Sequence, residues 1–227
     1  MPGLTLVAAA LFLSGARRVG AALKIAEDVF TPRQQAVLTA ALDLLVEQGD
    51  GLTMTAVARR ASCSKETLYK WFGDRDGLLT ATVQWQAAKV RVPRVDRHNL
   101  DAASLRASVE QFGRDLLGTL AGEVSVTLNR LAVTDAGAQK RGLGQIVLEN
   151  GRLEMGRRLK PVLQAGRDAR LLRFDDSEEA FRTFFGLVVR DVQIRLLLGE
   201  EFKLSAAQIE KDARIAAEQF FALYGAR

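Results

Sequence analysis

The stretch CSKETLYKWFGDRDGLL at 63–79 sets two lysines, a threonine and a tyrosine around one leucine, then adds a tryptophan and a phenylalanine. At 3.6 residues per turn, Leu68, Trp71 and Phe72 fall at i, i+3 and i+4 and form an apolar face. Lys65, Glu66, Tyr69 and Lys70 fall on the opposite side. Ammonium, carboxylate and phenol groups on one short helix are the donors and acceptors that meet phosphates and base edges. The same residue types also make a plain solvated helix face.

Other chemistries find little support. One histidine (His98) and one cysteine (Cys63) build neither a Cys/His zinc site nor an internal disulfide. Cys63 reads as an inert turn residue rather than a redox sensor. No HExxH or GxxxxGK[ST] motif occurs, and Gly142-x-Gly144 follows no strand. Asp175-Asp176 and Glu178-Glu179 read as helix-start charges. No enzymatic activity, cofactor or metal is expected.

The elements that position the polar helix are legible nearby. Thr31-Pro32 opens a helix with Ala36, Val37, Ala40, Ala41, Leu44 and Leu45 on one stripe, stopped by Gly49-Asp50-Gly51. Leu52 and Thr53 lead to a short helix at about 55–61, with Ala56, Val57, Ala58 and Ala61 as a small-residue face. After the break Ser62-Cys63-Ser64, Ser64 caps a helix over Lys65–Phe72. Gly73-Asp74 breaks again, and a fourth helix runs from Arg75 to about Val92, before Pro93. Two short helices joined by three or four residues form a helix-turn-helix layout. Residues 93–100 read as a polar linker holding His98, and helices follow near 101–120, 123–136, 142–166, 177–198 and 205–224.

The bulk numbers fit this plan. The chain has 227 residues, 48% hydrophobic and 26% charged, with four prolines, which suits an all-α protein with a sizeable core. A formal charge of +5 is compatible with nucleic acid without requiring it. The apolar run at 4–16 is too short to span a membrane as a helix and lacks the leading positive charge of an export signal. Three readings of residues 1–30 stay open: an extension or over-long translation start, an export signal, and a membrane-surface anchor. The first is favoured, and a cytoplasmic protein with no membrane partner is expected.

The stretch GDGLTMTAVARRASCSKETLYKWFGDRDGLLTATV resembles the N-terminal DNA-binding domain of the TetR/AcrR family of bacterial transcriptional regulators. Ala36, Leu44, Gly49, Thr53, Val57-Ala58, Thr67-Leu68-Tyr69, Phe72, the basic residue Arg75 and Leu78 carry the resemblance. It departs at Ser62, where the family usually has Gly, at Arg75 for the usual Lys, and at Trp71 for a commoner Tyr or His. FRTFFGLVVRDVQIRLLLGE (181–200) is loosely similar to the family's long penultimate helix.

The implied architecture is an N-terminal three-helix helix-turn-helix domain at 31–80 and a helical effector-binding and dimerisation bundle at 81–227. With the third helix in the major groove, Ser64, Lys65, Glu66 and Thr67 reach base edges. Tyr69, Lys70, Arg75, Thr53 and Thr55 are placed for phosphates. The expected partners are a palindromic operator in double-stranded DNA and a second copy of the chain. Phe181, Phe184, Phe185, Leu187, Val188, Val189, Ile194, Leu196, Leu197 and Leu198 exceed one core-facing stripe, so the last two helices are expected to pair the copies. By resemblance alone, an unidentified small-molecule effector would be lined by Phe112, Leu116, Leu128, Phe184 and Gln193, with Asn129 or Arg130 as polar anchors. The competing reading is a helical ligand-binding or interaction protein that does not bind DNA.

Overall fold

The computed structural model describes residues 30–48, 52–91, 95–97, 99–137 and 142–226. The expectations for residues 1–29, Gly49-Asp50-Gly51, Pro93 and His98 lie outside the described residues.

Helix α1 spans Pro32–Gln48. Thr31 starts it: the Gln34 N–H donates to Thr31 Oγ1 at 3.3 Å, and Gln34 Oε1 accepts from the Thr31 N–H at 2.9 Å. That reciprocal pair satisfies donors which the helix itself leaves unpaired. Helices α2 (Met54–Arg60), α3 (Lys65–Phe72) and α4 (Arg75–Ala87) are each capped by a side-chain oxygen. Thr53 accepts from the Ala56 N–H, Ser64 from Thr67 and Asp74 from Gly77.

The turn between α2 and α3 is set by backbone geometry. The Cys63 N–H donates to the Ala58 carbonyl at 3.0 Å and the Ser62 N–H to Arg59 at 3.3 Å, closing α2 with a Schellman motif. Ser62 adopts a left-handed φ of 50°, where a Cβ is disfavoured. Arg33 Nη2 donates to the Ser62 carbonyl at 2.7 Å, tying α1 to the turn. At the other end of α3, a Cβ on Gly77 would meet the Phe72 carbonyl oxygen at 1.9 Å. Glycine there lets α4 start this close to the end of α3.

Two cores result. The first gathers Val37, Leu38, Leu44 and Leu45 of α1, Val57 of α2, Leu68 of α3 and Leu78 and Leu79 of α4. It is completed by Leu128 and Ala132 of α6 (Glu123–Gly137) and Leu143 of α7 (Leu143–Val147). The helix-turn-helix unit therefore does not close its own core. The second core packs α5 (Ala102–Leu120), α8 (Leu153–Asp168), α9 (Ser177–Val189) and α11 (Ala206–Tyr224) around Phe112, Leu159, Phe181, Phe184 and Phe220. Each such buried side chain contributes about 1.5–3 kcal/mol. Helix α4 supplies Leu78, Leu79, Ala81 and Val83 to the first core and Ala87 to the second.

Three elements differ from expectation. Helix α4 ends at Ala87 rather than near 92, because its last turn tightens into i→i−3 bonds, Lys89 to Gln86 and Val90 to Ala87. The run at 142–166 contains a π-helical segment, Leu148–Arg152, between α7 and α8. The segment at 177–198 is two helices, since Arg190 takes φ 44° and ends α9 before α10 (Val192–Leu197) begins. An unbroken helix would carry apolar residues around its whole circumference. The break turns Leu196 inward and leaves Ile194 and Leu198 exposed.

No strand occurs among the described residues, which hold one isolated bridge between Leu172 and Gly225. None of the described helices is long and apolar enough to cross a membrane. The strained turn makes a testable prediction. Ser62→Gly is expected to raise stability by about 1 kcal/mol by removing the left-handed penalty on a Cβ. A rise in the urea midpoint at unchanged slope would show this, and a fall would mean that the Ser62 side chain supports the turn.

Candidate functional site

The outer face of α3 carries the exposed side chains of Lys65, Glu66, Tyr69 and Lys70, while Leu68 beneath them is fully buried. Trp71 and Phe72 are half-buried, edge-to-face at 6.2 Å, and pack against the first core. The apolar face thus fixes the angle at which the polar face is presented. Tyr69 keeps 52% of its surface, unusual for a tyrosine that serves only packing.

Several expected contact residues have local duties as well. Ser64 and Thr53 cap their helices as acceptors, which leaves the Thr53 hydroxyl proton available to an incoming oxygen, while that of Ser64 faces Glu66 and Thr67. Thr67 is half-buried with its Oγ1 3.1 Å from Ser64 Oγ. Thr55 is exposed on the first turn of α2. The Glu66 carboxyl is held below the usual carboxylate range, first by its own backbone N–H and then by the Ser64 hydroxyl. At neutral pH Glu66 is therefore acceptor-only, suited to a base amino group and repelled by phosphate.

Arg75 is placed differently from the lysines. Its Nε donates to the Leu52 carbonyl at 3.0 Å, and its Nη1 lies 3.9 Å from Asp76. It braces the start of α4 against the segment that leads into α2. At the other end of α4, Arg158 Nη1 donates to the carbonyls of Ala87 and Val90, each at 3.0 Å. A cation on these C-terminal carbonyls meets both their lone pairs and the helix dipole.

Between the two cores lies a cavity of about 700 Å³. Helix α4 forms one wall through Val83, Gln86 and Ala87, and Val90 just beyond its end continues it. Leu116, Leu128, Asn129 and Gln193, four of the expected effector contacts, also line it. Phe112 and Phe184 are fully buried in the second core and do not line it; Phe185 does. Arg130 is exposed and donates to the Leu196 carbonyl at 2.5 Å, closing the end of α10. The polar part of the wall is linked: Gln86 Nε2 donates to Ser125 Oγ at 3.2 Å and Asn129 Nδ2 to the Ser125 carbonyl at 2.7 Å. Gln193 Nε2 lies 3.5 Å from Asn129 Oδ1.

With these two features in view, the similarity to known proteins can be read. Residues 37–82 match the bacterial regulatory proteins of the tetR family, and residues 107–226 match the C-terminal domain of AefR-like transcriptional repressors. A TetR transcriptional regulator from Agrobacterium tumefaciens is 47% identical over 87% of this chain and 97% of that chain, with a TM-score of 0.74. The chain belongs to the TetR family. The flavonoid-responsive regulator FrrA is 28% identical over 86% of this chain and 98% of its own, with a TM-score of 0.62. A helix-turn-helix regulator of Bacillus subtilis (strain 168), YdeS, is 44% identical over 46 residues, a match spanning 20% of this chain and 23% of that protein.

As a TetR-family protein the chain is a DNA-binding transcriptional regulator, and α2 and α3 form its helix-turn-helix. Sequence reasoning missed three residues that matter to the sites. Arg33 supports the turn ahead of α3, Arg158 clamps α4, and Arg152 lines the cavity. No local pattern marks them, because each acts on a residue far away in the chain.

The face of α3 predicts two separable effects. Lys70→Ala should weaken DNA binding about equally for all sequences and reduce the salt slope by about one. Glu66→Gln should change preference at one base pair by about 1–3 kcal/mol and leave the salt slope unaltered. Anisotropy titrations over a salt series, on a set of single-base operator variants, would distinguish them; identical behaviour of the two variants would remove Glu66 from base reading.

Proposed function

We propose that this regulator is a cytoplasmic, ligand-responsive repressor without enzymatic activity, which binds a palindromic operator as a homodimer. The observation that carries the reading is the position of α4, which begins at the recognition helix α3 and ends in the cavity wall. A ligand that wedges between Val83 and Leu128 displaces α4 relative to α6, and both residues belong to the first core. The heads of a dimer then change separation and no longer match successive major grooves. This is a population shift, so the ligand must prefer the spacing that fits DNA poorly. FrrA, which responds to flavonoids, is a precedent among the relatives.

Pairing through the last two helical segments is supported by apolar side chains left outside. Ile194, Leu198 and Leu223 are exposed, Leu198 by 80%. A single head reads few base pairs, and a two-fold pair reads two half-sites.

Fluorescence anisotropy of the protein on its own upstream intergenic DNA, against a scrambled duplex and over a salt series, tests the repressor reading. Selective binding that weakens steeply with salt is expected. Leu148→Trp, at a cavity-lining position that belongs to neither core, should retain operator binding and lose release by any ligand that frees the wild-type protein. Equal weak binding to both duplexes would count against a self-regulated operator.

A further inference from the structure

We infer that the cavity takes an amphipathic organic acid, with its anionic group at Arg152 and a hydroxyl near Gln86. The inference rests on the effector reading above for its regulatory meaning, and on the cavity itself for its chemistry.

The wall is mostly apolar, and Arg152 is the one charged side chain lining it among the described residues. Its guanidinium carbon sits 4.6 Å from the centroid of Phe181 and 4.3 Å from that of Phe185. Both aromatic contacts engage the flat cation through the faces of the rings. They use no N–H group, and no hydrogen bond or ion pair to the Arg152 side chain exists among the described residues. Burial pushes the guanidinium pKa down from its ordinary value, partly offset by Glu178 and reinforced by Arg182. Glu178 is itself paired with Lys160 at 2.8 Å. Arginine nevertheless stays protonated. A half-buried cation with an unused N–H fork is what a carboxylate matches bidentately.

Gln86 adds a second, independent observation. It is 5% exposed, and its Oε1 is buried without a hydrogen-bond partner. If the amide is turned over, the orphan becomes an N–H donor. A hydroxyl, which both donates and accepts, satisfies either orientation. Gln86 also borders a neighbouring groove of about 540 Å³, so its role is secondary to that of Arg152.

Arg152 is the last residue of the π-helical segment. Leu148–Arg152 widens one turn between α7 and α8 and shifts the phase of the residues that follow. Gly151 and Leu148 of the same segment also line the cavity.

The test uses the full chain without DNA and a matched set of probes in isothermal titration at pH 7. The probes are 4′-hydroxybiphenyl-4-carboxylate, its neutral primary amide, and the 4′-methyl analogue of the acid. The wild type should bind the acid at least about tenfold more tightly than the amide, the preference expected of a charge-assisted pair. Arg152→Met should abolish that preference by weakening the acid alone, with amide affinity unchanged. Gln86→Met should abolish any preference for the hydroxyl over the methyl analogue.

Equal binding of acid and amide by the wild type would overturn the inference and leave the cavity as a site for neutral ligands. Equal weakening of both probes in Arg152→Met would also overturn it, since Arg152 would then be holding the wall only. Binding of neither probe would exclude the class. Adding the acid to the operator complex separates the two readings. Tight, Arg152-dependent binding with no change in DNA affinity would retain the ligand chemistry and reject its effector role.

Discussion

Helix α4 cannot move alone, and the rest of the molecule depends on that constraint. It belongs to both cores, Leu78 and Leu79 to one and Ala87 to the other. Its start is braced by Arg75 on the Leu52 carbonyl, and its end is gripped by Arg158 on the carbonyls of Ala87 and Val90. Charge-assisted bonds are stronger than neutral ones, so the helix is anchored firmly at both ends. Packed interiors deform little, which favours discrete rearrangement over continuous bending.

That constraint explains why the head is not a self-sufficient unit. A three-helix head buries little surface, and here Leu128, Ala132 and Leu143 complete its core from outside. Leu128 and Ala132 also line the cavity. Whatever occupies the cavity therefore touches side chains that hold the DNA-binding head together.

The recognition helix is prepared in a different way. Its polar face is held at a fixed angle by Leu68 below, by the Ser64 cap at one end and by Gly77 beneath the other. The turn before it tolerates Ser62 at a left-handed φ, with Arg33 on its carbonyl. The local strain is matched by bonds from α1, so the geometry survives without the usual glycine.

Short-range physics made much of this legible in the sequence. Caps at Thr31, Ser64 and Asp74 act within three residues, and apolar stripes repeat every turn, so helix type and most starts could be read directly. The polar face of α3 followed from the same periodicity. Arg152, Arg158, Gln86 and the break at Arg190 could not be read this way. A guanidinium over two phenylalanines, a clamp on carbonyls some seventy residues away and a buried amide without a partner are products of which helices meet. Phe184 and Phe185 show the distinction at its smallest. Both are apolar and adjacent in sequence, and the packing of α9 buries the first fully in the second core and brings the second to the cavity wall. Periodicity assigns a residue to a face of its own helix, whereas the tertiary structure decides what that face meets.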